Sequence, residues 1–137
     1  MQDRLKSRVW DPQEKVMHYN DFVITSTGYI AKVETHMEAL GKFIIDQTDL
    51  DFDKTMVVMQ CTGMKDKNSQ LIYESDILED PVHKFKVAWS GYSFVISGAS
   101  KNDEEKQVYF FPLLAQTFEV IGNIYENPEL LKGGCNV

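Results

Sequence analysis

Two carboxylates lie one residue apart in the middle of the chain, in the stretch CTGMKDKNSQLIYESDI. Glu74 and Asp76 would point to the same side of a straight strand, as a pair of catalytic acids requires. Such chemistry also needs a partly dry pocket that separates the two pKa values, and a partner group. No histidine base, activated serine or phosphate-binding glycine run lies in the stretch. The sequence therefore predicts turn residues, with Asp76 binding backbone N–H groups, and no enzyme.

The other possible nucleophiles and metal ligands are scattered along the chain. Cys61 lies in an apolar run, whereas reactive thiols need exposed, electropositive surroundings, so a buried structural cysteine is predicted. Cys61 and Cys135 are far apart and form no CxxC pair, so we expect no disulfide. The histidines, His18, His36 and His83, show no recurring ligand spacing. The sequence predicts no metal site and no cofactor.

The acidic segment DQTDLDFDKT, residues 46–55, resembles a calcium-binding loop only at first sight. An EF-hand loop needs glycine at its sixth position and glutamate at its twelfth. Counted from Asp46, those positions hold Asp51 and Val57. A solvated acidic loop is predicted instead.

Length and charge limit the classes of protein. The 137 residues, 43% of them hydrophobic, predict one folded domain. The net charge is −7, with 14 basic and 21 acidic residues and no basic run, which argues against duplex DNA or an anionic membrane as partner. The opening MQDRLKSRVW lacks the apolar stretch of a signal peptide, and no apolar run is long enough to span a bilayer. We expect a cytoplasmic protein.

In the first half of the chain, hydrophobic periodicity predicts β-hairpins. The alternation after Leu5, followed by Asp11-Pro12, predicts a hairpin over WDPQEKVMHY. A second hairpin is predicted from Phe22 to Lys32, turning at Thr27-Gly28. The segment THMEALGKF allows a single helical turn that ends at Gly41.

The second half alternates predicted strands with polar turns. A buried strand at residues 56–61 precedes a turn at 66–69, in which Asn68 takes the left-handed conformation. A hairpin is predicted over HKFKVAW and YSFVISG, with Trp89 and Phe94 available to the core.

Residues 101–107 are predicted to be a charged loop. Residues 110–114 and 118–124 are strand candidates, with Gly122 at a bulge or close approach, and Asn127-Pro128-Glu129 starts a short helix.

Three blocks of the chain, LKSRVWDP, CTGMKDKNSQLIYESDI and VIGNIYENPELL, resemble the YopX family of small bacteriophage and prophage proteins. Family members characteristically contain TGLKDKNGKEIYEGDIV. The matching positions here are Thr62, Gly63, Lys65, Asp66, Lys67, Asn68, Ile72, Tyr73, Glu74, Asp76 and Ile77. Three positions depart from the pattern: Met64 replaces leucine, and Ser69 and Ser75 replace glycines at turns, which implies negative φ or altered turns there.

The resemblance implies a mainly β protein with no established activity. It implies hairpins over residues 1–55, a small SH3-like barrel over residues 56–131, and a flexible tail at residues 132–137. The turn and barrel-entry residues would be Thr62, Gly63, Asp66, Asn68, Tyr73, Glu74 and Asp76.

The function expected from these features is binding rather than catalysis. Trp10, Trp89 and Tyr92 could form an aromatic contact surface, although packing in the core is the alternative. We expect a phage or prophage accessory protein that binds a protein partner or associates with itself. Two alternatives stay open: a nucleic-acid-associated small barrel, and an acidic mimic that inhibits a host DNA-binding protein.

Overall fold

The computed structural model describes most of the chain, which forms two compact units. The described residues are 6–19, 22–24, 30–32, 36–37, 43–44, 56–99 and 105–132. The N-terminal unit is Arg8–Val58, and the C-terminal unit combines Met59–Val137 with Met1–Ser7. The fold is mainly β, as predicted.

Short antiparallel hairpins build the N-terminal unit. Their strands are β1 (Ser7–Asp11), β2 (Val16–His18), β3 (Phe22–Ile24), β4 (Ile30–Lys32), β5 (His36–Met37) and β6 (Phe43–Ile44). β1 pairs with β2, β3 with β4, and β5 with β6. The pairing of both predicted hairpins is confirmed, while the predicted turn at Thr27-Gly28 lies outside the described residues. The predicted helical turn is wrong at His36 and Met37, which lie in a strand, and residues 38–42 lie outside the described residues, as do the acidic residues 46–55.

A hairpin and a larger sheet build the C-terminal unit. The elements are β7 (Val57–Lys65), β8 (Leu71–Tyr73), β9 (Asp76–Glu79), β10 (Lys84–Trp89), β11 (Phe94–Ala99), β12 (Glu105–Tyr109), α1 (Pro112–Ala115), β13 (Glu119–Asn123) and α2 (Glu129–Lys132). β7 pairs with β8. The other strands form a five-stranded antiparallel sheet in the order β12-β11-β10-β9-β13, curled into a half-barrel.

The core of the C-terminal unit lies against this curled sheet. Its buried members are Ile72, Leu78, Val87, Phe94, Ile96, Phe110, Ala115 and Phe118. Val87 and Ile96 are directly paired across β10 and β11, so the two-residue period of both strands delivers them to the same face. Each fully buried aliphatic side chain contributes about 1.5–3 kcal/mol. Burial of alternate strand residues is therefore what holds the half-barrel together.

Gly122 marks an irregularity in β13, as predicted. The register shifts between Val120 and Gly122, which is a bulge. A Cβ atom at Gly122 would collide with the Oδ1 atom of Asn127. Any residue with a Cβ atom at this position would therefore require the side chain of Asn127 to move.

The segment before β13 differs from its sequence prediction. Residues 105–107, predicted to be loop, belong to β12, and residues 112–114 of the strand predicted at 110–114 belong to α1. Pro112 explains α1, because a proline in the first turn has the helical φ and needs no N–H partner there. The predicted C-terminal helix is confirmed as α2, while residues 133–137 of the predicted tail lie outside the described residues.

Candidate binding surface

Asp66 connects the turn after β7 to the far edge of the sheet. Its Oδ1 atom accepts hydrogen bonds from the N–H groups of Asn68 and Gln70, both at 2.9 Å. Its Oδ2 atom accepts a hydrogen bond from the N–H of Val120 in β13, at 3.0 Å. The carboxylate is buried and both of its oxygens bind backbone, so Asp66 is a structural residue.

The left-handed residue of this turn is Ser69 rather than Asn68, so the prediction for Asn68 is wrong. Ser69 has φ 64°, and its N–H donates to the carbonyl of Asp66 at 3.0 Å. Asp66 holds the N–H of Asn68, so the chain reverses one residue later. The Nδ2 atom of Asn68 instead lies 3.5 Å from Oε1 of Glu119, a weak contact.

Thr62 and Gly63 shape the irregular part of β7. The Thr62 hydroxyl donates to the carbonyl of Ile72 at 2.8 Å and accepts from the N–H of Met64 at 3.0 Å. Gly63 has φ 77°, and the pairing with β8 shifts register between Cys61 and Lys65. These residues therefore connect β7 to β8.

Glu74 and Asp76 both bind backbone N–H groups. The Oδ2 atom of buried Asp76 accepts from Tyr73 at 2.8 Å, and Oε1 of Glu74 accepts from Gln60 at 3.0 Å. Ser75 between them has φ 69°, and its N–H donates to the carbonyl of Val87 at 2.8 Å. The chain bends sharply at Ser75, so the straight-strand geometry that would align two catalytic acids does not form here.

Asp80 anchors a third polar turn. Its Oδ1 atom accepts from the N–H groups of Val82 and His83, at 2.8 and 2.6 Å, and the His83 ring nitrogen lies 3.3 Å away. Burial raises the pKa of Asp80, but these hydrogen bonds and the imidazole outweigh that effect and hold the pKa below its usual value. Cys61 is buried, as predicted, with its sulfur 3.7 Å from the carbonyl oxygen of Ile72.

The predicted aromatic contact residues separate into buried and exposed. Trp10 is only 7% exposed, so it belongs to the interior and the prediction of a contact role is wrong for this side chain. Trp89 is 45% exposed, which corrects its expected place in the core, and its ring packs edge-on against Phe94 at a centroid distance of 4.9 Å. Tyr92 is 83% exposed.

A groove beside β12 collects further exposed apolar side chains. We call it the β12 groove; it has a volume of about 180 Å³ and is lined by Ser90, Tyr92, Val95, Gln107, Val108 and Tyr109. Tyr109 is 71% exposed, whereas Val95 is buried, so the groove has an aromatic rim and Val95 at its floor, and the polar residues Ser90 and Gln107 also line it. β12 is also an edge of the five-stranded sheet, with no further strand beside it among the described residues.

Val108 and Tyr109 were not predicted as contact residues from the sequence. They belong to the run QVYFF, in which several neighbouring residues are apolar and no two-residue alternation separates inward from outward positions. Only the pairing of Val108 with Ile96 and of Tyr109 with Val95 places both residues on the edge strand.

The fold and this surface describe a small mainly β module with an exposed sheet edge. The chain matches the sequence model described as YopX protein over residues 6–132, so it belongs to the YopX family. It is similar to protein EF1440 from Enterococcus faecalis, seen in a crystal structure, with 29% sequence identity and a TM-score of 0.62. That similarity covers 92% of this chain and 96% of EF1440. No curated protein matches the chain. Within the described residues, no helix is long and apolar enough to cross a membrane.

Proposed function

We propose that the protein is a non-enzymatic module that binds an extended segment of a partner protein alongside β12. The observation that carries this proposal is the aromatic rim of the β12 groove at an open sheet edge. Soluble proteins cover or charge such edges to prevent pairing with other chains. An edge lined by Val108, Tyr109 and Tyr92 instead resembles the surfaces that accept an added strand.

The size of the groove supports a protein ligand rather than a metabolite. Pockets for small molecules typically have volumes of about 300–1,000 Å³. The β12 groove, at about 180 Å³, suits one or two side chains of a bound segment. In this arrangement the backbone of β12 supplies hydrogen bonds, and Val95 at the floor supplies apolar contact.

Trp89 and the two tyrosines are suited to a contact surface. Trp89 is already held against Phe94, so little side-chain freedom is lost on binding. Tyr92 and Tyr109 offer large contact areas with few rotatable bonds, which is why tyrosine is enriched in binding hot spots.

Charge favours a different protein over a second copy of the chain. Two copies would each carry a net charge of −7 and repel each other at long range, whereas a segment with basic residues would be attracted. We therefore propose a neutral or basic extended segment of another protein as the ligand.

The biological setting belongs to the same proposal and rests on family resemblance. YopX-like sequences occur in bacteriophages and prophages, so we propose an accessory protein that acts in the cytoplasm of a bacterial host. The curled five-stranded sheet supports the SH3-like barrel that the resemblance implies for this part of the chain.

The experiment compares capture of host proteins by wild-type protein and by a Tyr92→Ser, Tyr109→Ser double variant, with and without nuclease treatment. Tyr19→Ser is the matched control, because Tyr19 is an exposed tyrosine of the N-terminal unit. We expect wild type and control to capture one host protein in stoichiometric amounts, and the double variant to capture at least about tenfold less. A synthetic peptide from the captured protein should then compete for binding.

Three outcomes would contradict the proposal. Equal capture by wild type and all variants would show that the partner binds a surface other than the β12 groove. Capture that disappears with nuclease would favour nucleic acid, whose bases also stack on aromatic side chains. Recovery of the chain alone, with an oligomer that the double variant disrupts, would show that the ligand is a second copy.

A further inference from the structure

The first hairpin brings together three side chains that can bind a metal ion. In the pairing of β1 with β2, Val9 lies opposite His18 and Asp11 lies opposite Val16. Because side chains alternate between the two faces of a strand, Asp11 and His18 share a face and are diagonal neighbours. Glu14 lies in the turn between the strands.

Asp11 itself shapes the turn that carries Glu14. Its Oδ1 atom accepts hydrogen bonds from the N–H groups of Gln13 and Glu14, at 3.0 and 3.2 Å. Lys15 then adopts φ 56°, which returns the chain to β2. As a result, one oxygen each of Asp11 and Glu14 and one ring nitrogen of His18 all lie within 4.8 Å of one another.

Burial distinguishes this cluster from a group of surface charges. Asp11 is 3% and His18 8% exposed, so both are more than nine-tenths buried. His18 has other interactions in the structure, but its Nε2 atom is buried and makes no hydrogen bond. A buried polar atom without a hydrogen bond is costly, and a metal ion bound through this nitrogen would remove that cost.

We propose that Asp11, Glu14 and His18 bind a divalent transition-metal ion of the Zn²⁺ type. An imidazole nitrogen with two carboxylate oxygens is a ligand set that Zn²⁺ accepts, with water completing the coordination. Donors around one tetrahedral Zn²⁺ ion lie about 3.3 Å apart, and the donor atoms here all lie within 4.8 Å of one another, so no separation has to close by more than about 1.5 Å. Glu14 is exposed and can shift by a change of rotamer toward the buried side chains of Asp11 and His18.

The experiment is a calorimetric titration of the chain with Zn²⁺ alone. It uses a Cys135→Ser background, so that this thiol cannot supply the binding. We expect saturable binding of one ion per chain. Glu14→Gln should weaken the binding about tenfold or more. Glu14 is exposed, so this variant should fold. Glu129→Gln, which makes the same change at an exposed glutamate of α2, should bind Zn²⁺ like the parent.

His18→Gln and Co²⁺ provide a second measurement. The visible absorption bands of bound Co²⁺ report directly on coordination, and we expect them in the parent and their loss in His18→Gln. The proposal is overturned if Zn²⁺ does not bind saturably at micromolar concentrations. It is equally overturned if Glu14→Gln and Glu129→Gln bind alike, because the three side chains would then form only a buried ionic cluster.

Discussion

Asp11 and Asp66 are two buried aspartates that stabilise a turn in the same way but have different neighbours outside that turn. Asp11 ends β1 and Asp66 directly follows β7, and each uses its Oδ1 atom to accept two backbone N–H groups of the next turn. The Oδ2 atom of Asp66 binds the N–H of Val120 in a strand 54 residues away, so the carboxylate is filled by backbone. The carboxylate of Asp11 lies beside Glu14 and His18, two side chains that bind metals.

The difference shows how a turn residue is distinguished from a ligand. A carboxylate filled by fixed backbone N–H groups holds the fold together and has little capacity to coordinate anything else. A carboxylate that faces other metal-binding side chains can coordinate the same metal ion as they do. Asp76 belongs with Asp66 in this respect, because its oxygen binds the Tyr73 N–H at the bend.

The largest effect is expected from removing the carboxylate of Asp66. Asp66→Ala leaves three backbone N–H groups without their acceptor and should lower the free energy of unfolding by about 3 kcal/mol. Urea unfolding measures this loss. Asp80→Ala, which removes a similar but more exposed cap, should cost about 1 kcal/mol. Equal losses would show that the bond to Val120 adds nothing.

Variants of Asp76 and Glu74 test whether the burial of a carboxylate decides how much it contributes to stability. Asp76→Ala should cost about 2 kcal/mol, because it leaves a buried N–H at the bend without its acceptor, whereas Glu74→Ala should cost less than about 1 kcal/mol at a more exposed contact. Urea unfolding of both variants measures the difference. A larger loss for Glu74→Ala would contradict this assignment of the two acids.

The two turns also share a strained residue, Lys15 after Asp11 and Ser69 after Asp66, with φ 56° and 64°. The left-handed conformation costs a residue with a side chain about 1 kcal/mol, and glycine adopts it freely. Lys15→Gly and Ser69→Gly should each raise the free energy of unfolding by about 0.5–1 kcal/mol, measured by thermal or urea unfolding. Ser97→Gly, within the buried strand β11, is the control and should lower it.

The smallest effect is expected at Asp80, through pH. Its pKa is lowered in the folded protein, so the stability that it contributes is present above the unfolded pKa of about 3.9 and is lost as the pH falls through the folded pKa. The stability difference between wild type and Asp80→Asn should therefore shrink as the pH is lowered from 6 to about 3. A difference that stays constant over this range would contradict the lowered pKa.

Local signals predicted much of the fold. The hairpin at Asp11-Pro12, the turn at DKNS and the start of α2 depend on residues within a few positions of each other. All three form, although the left-handed residue of the DKNS turn is Ser69 rather than Asn68. Prediction failed between residues 105 and 114, while residues 101–104 of the predicted charged loop lie outside the described residues. There an acidic run hides the beginning of β12, and five consecutive apolar or aromatic residues conceal a helical turn, because neither pattern has a clear period.

The binding surface and the metal ligands were predicted only in part. Trp89 and Tyr92 were proposed as contact residues and are exposed, while Trp10 was proposed and is buried. The sequence analysis did not predict the metal cluster, because the spacing Asp-x₂-Glu-x₃-His matches no familiar ligand motif. The three side chains become neighbours only when β1 and β2 pair as a hairpin. A search for donors on both sides of a predicted hairpin turn would have found it.

The sequence by itself determined the mainly β class, the family and the positions of the polar turns, because these follow from side-chain period and from hydrogen bonds between near neighbours. The tertiary structure alone decided that Asp66 reaches Val120, that Ser69 and Ser75 take positive φ, and that Tyr109 lines an open edge. Each of these depends on which strands lie side by side. Strand order is set by the burial of the whole core, and no local stretch of residues encodes it.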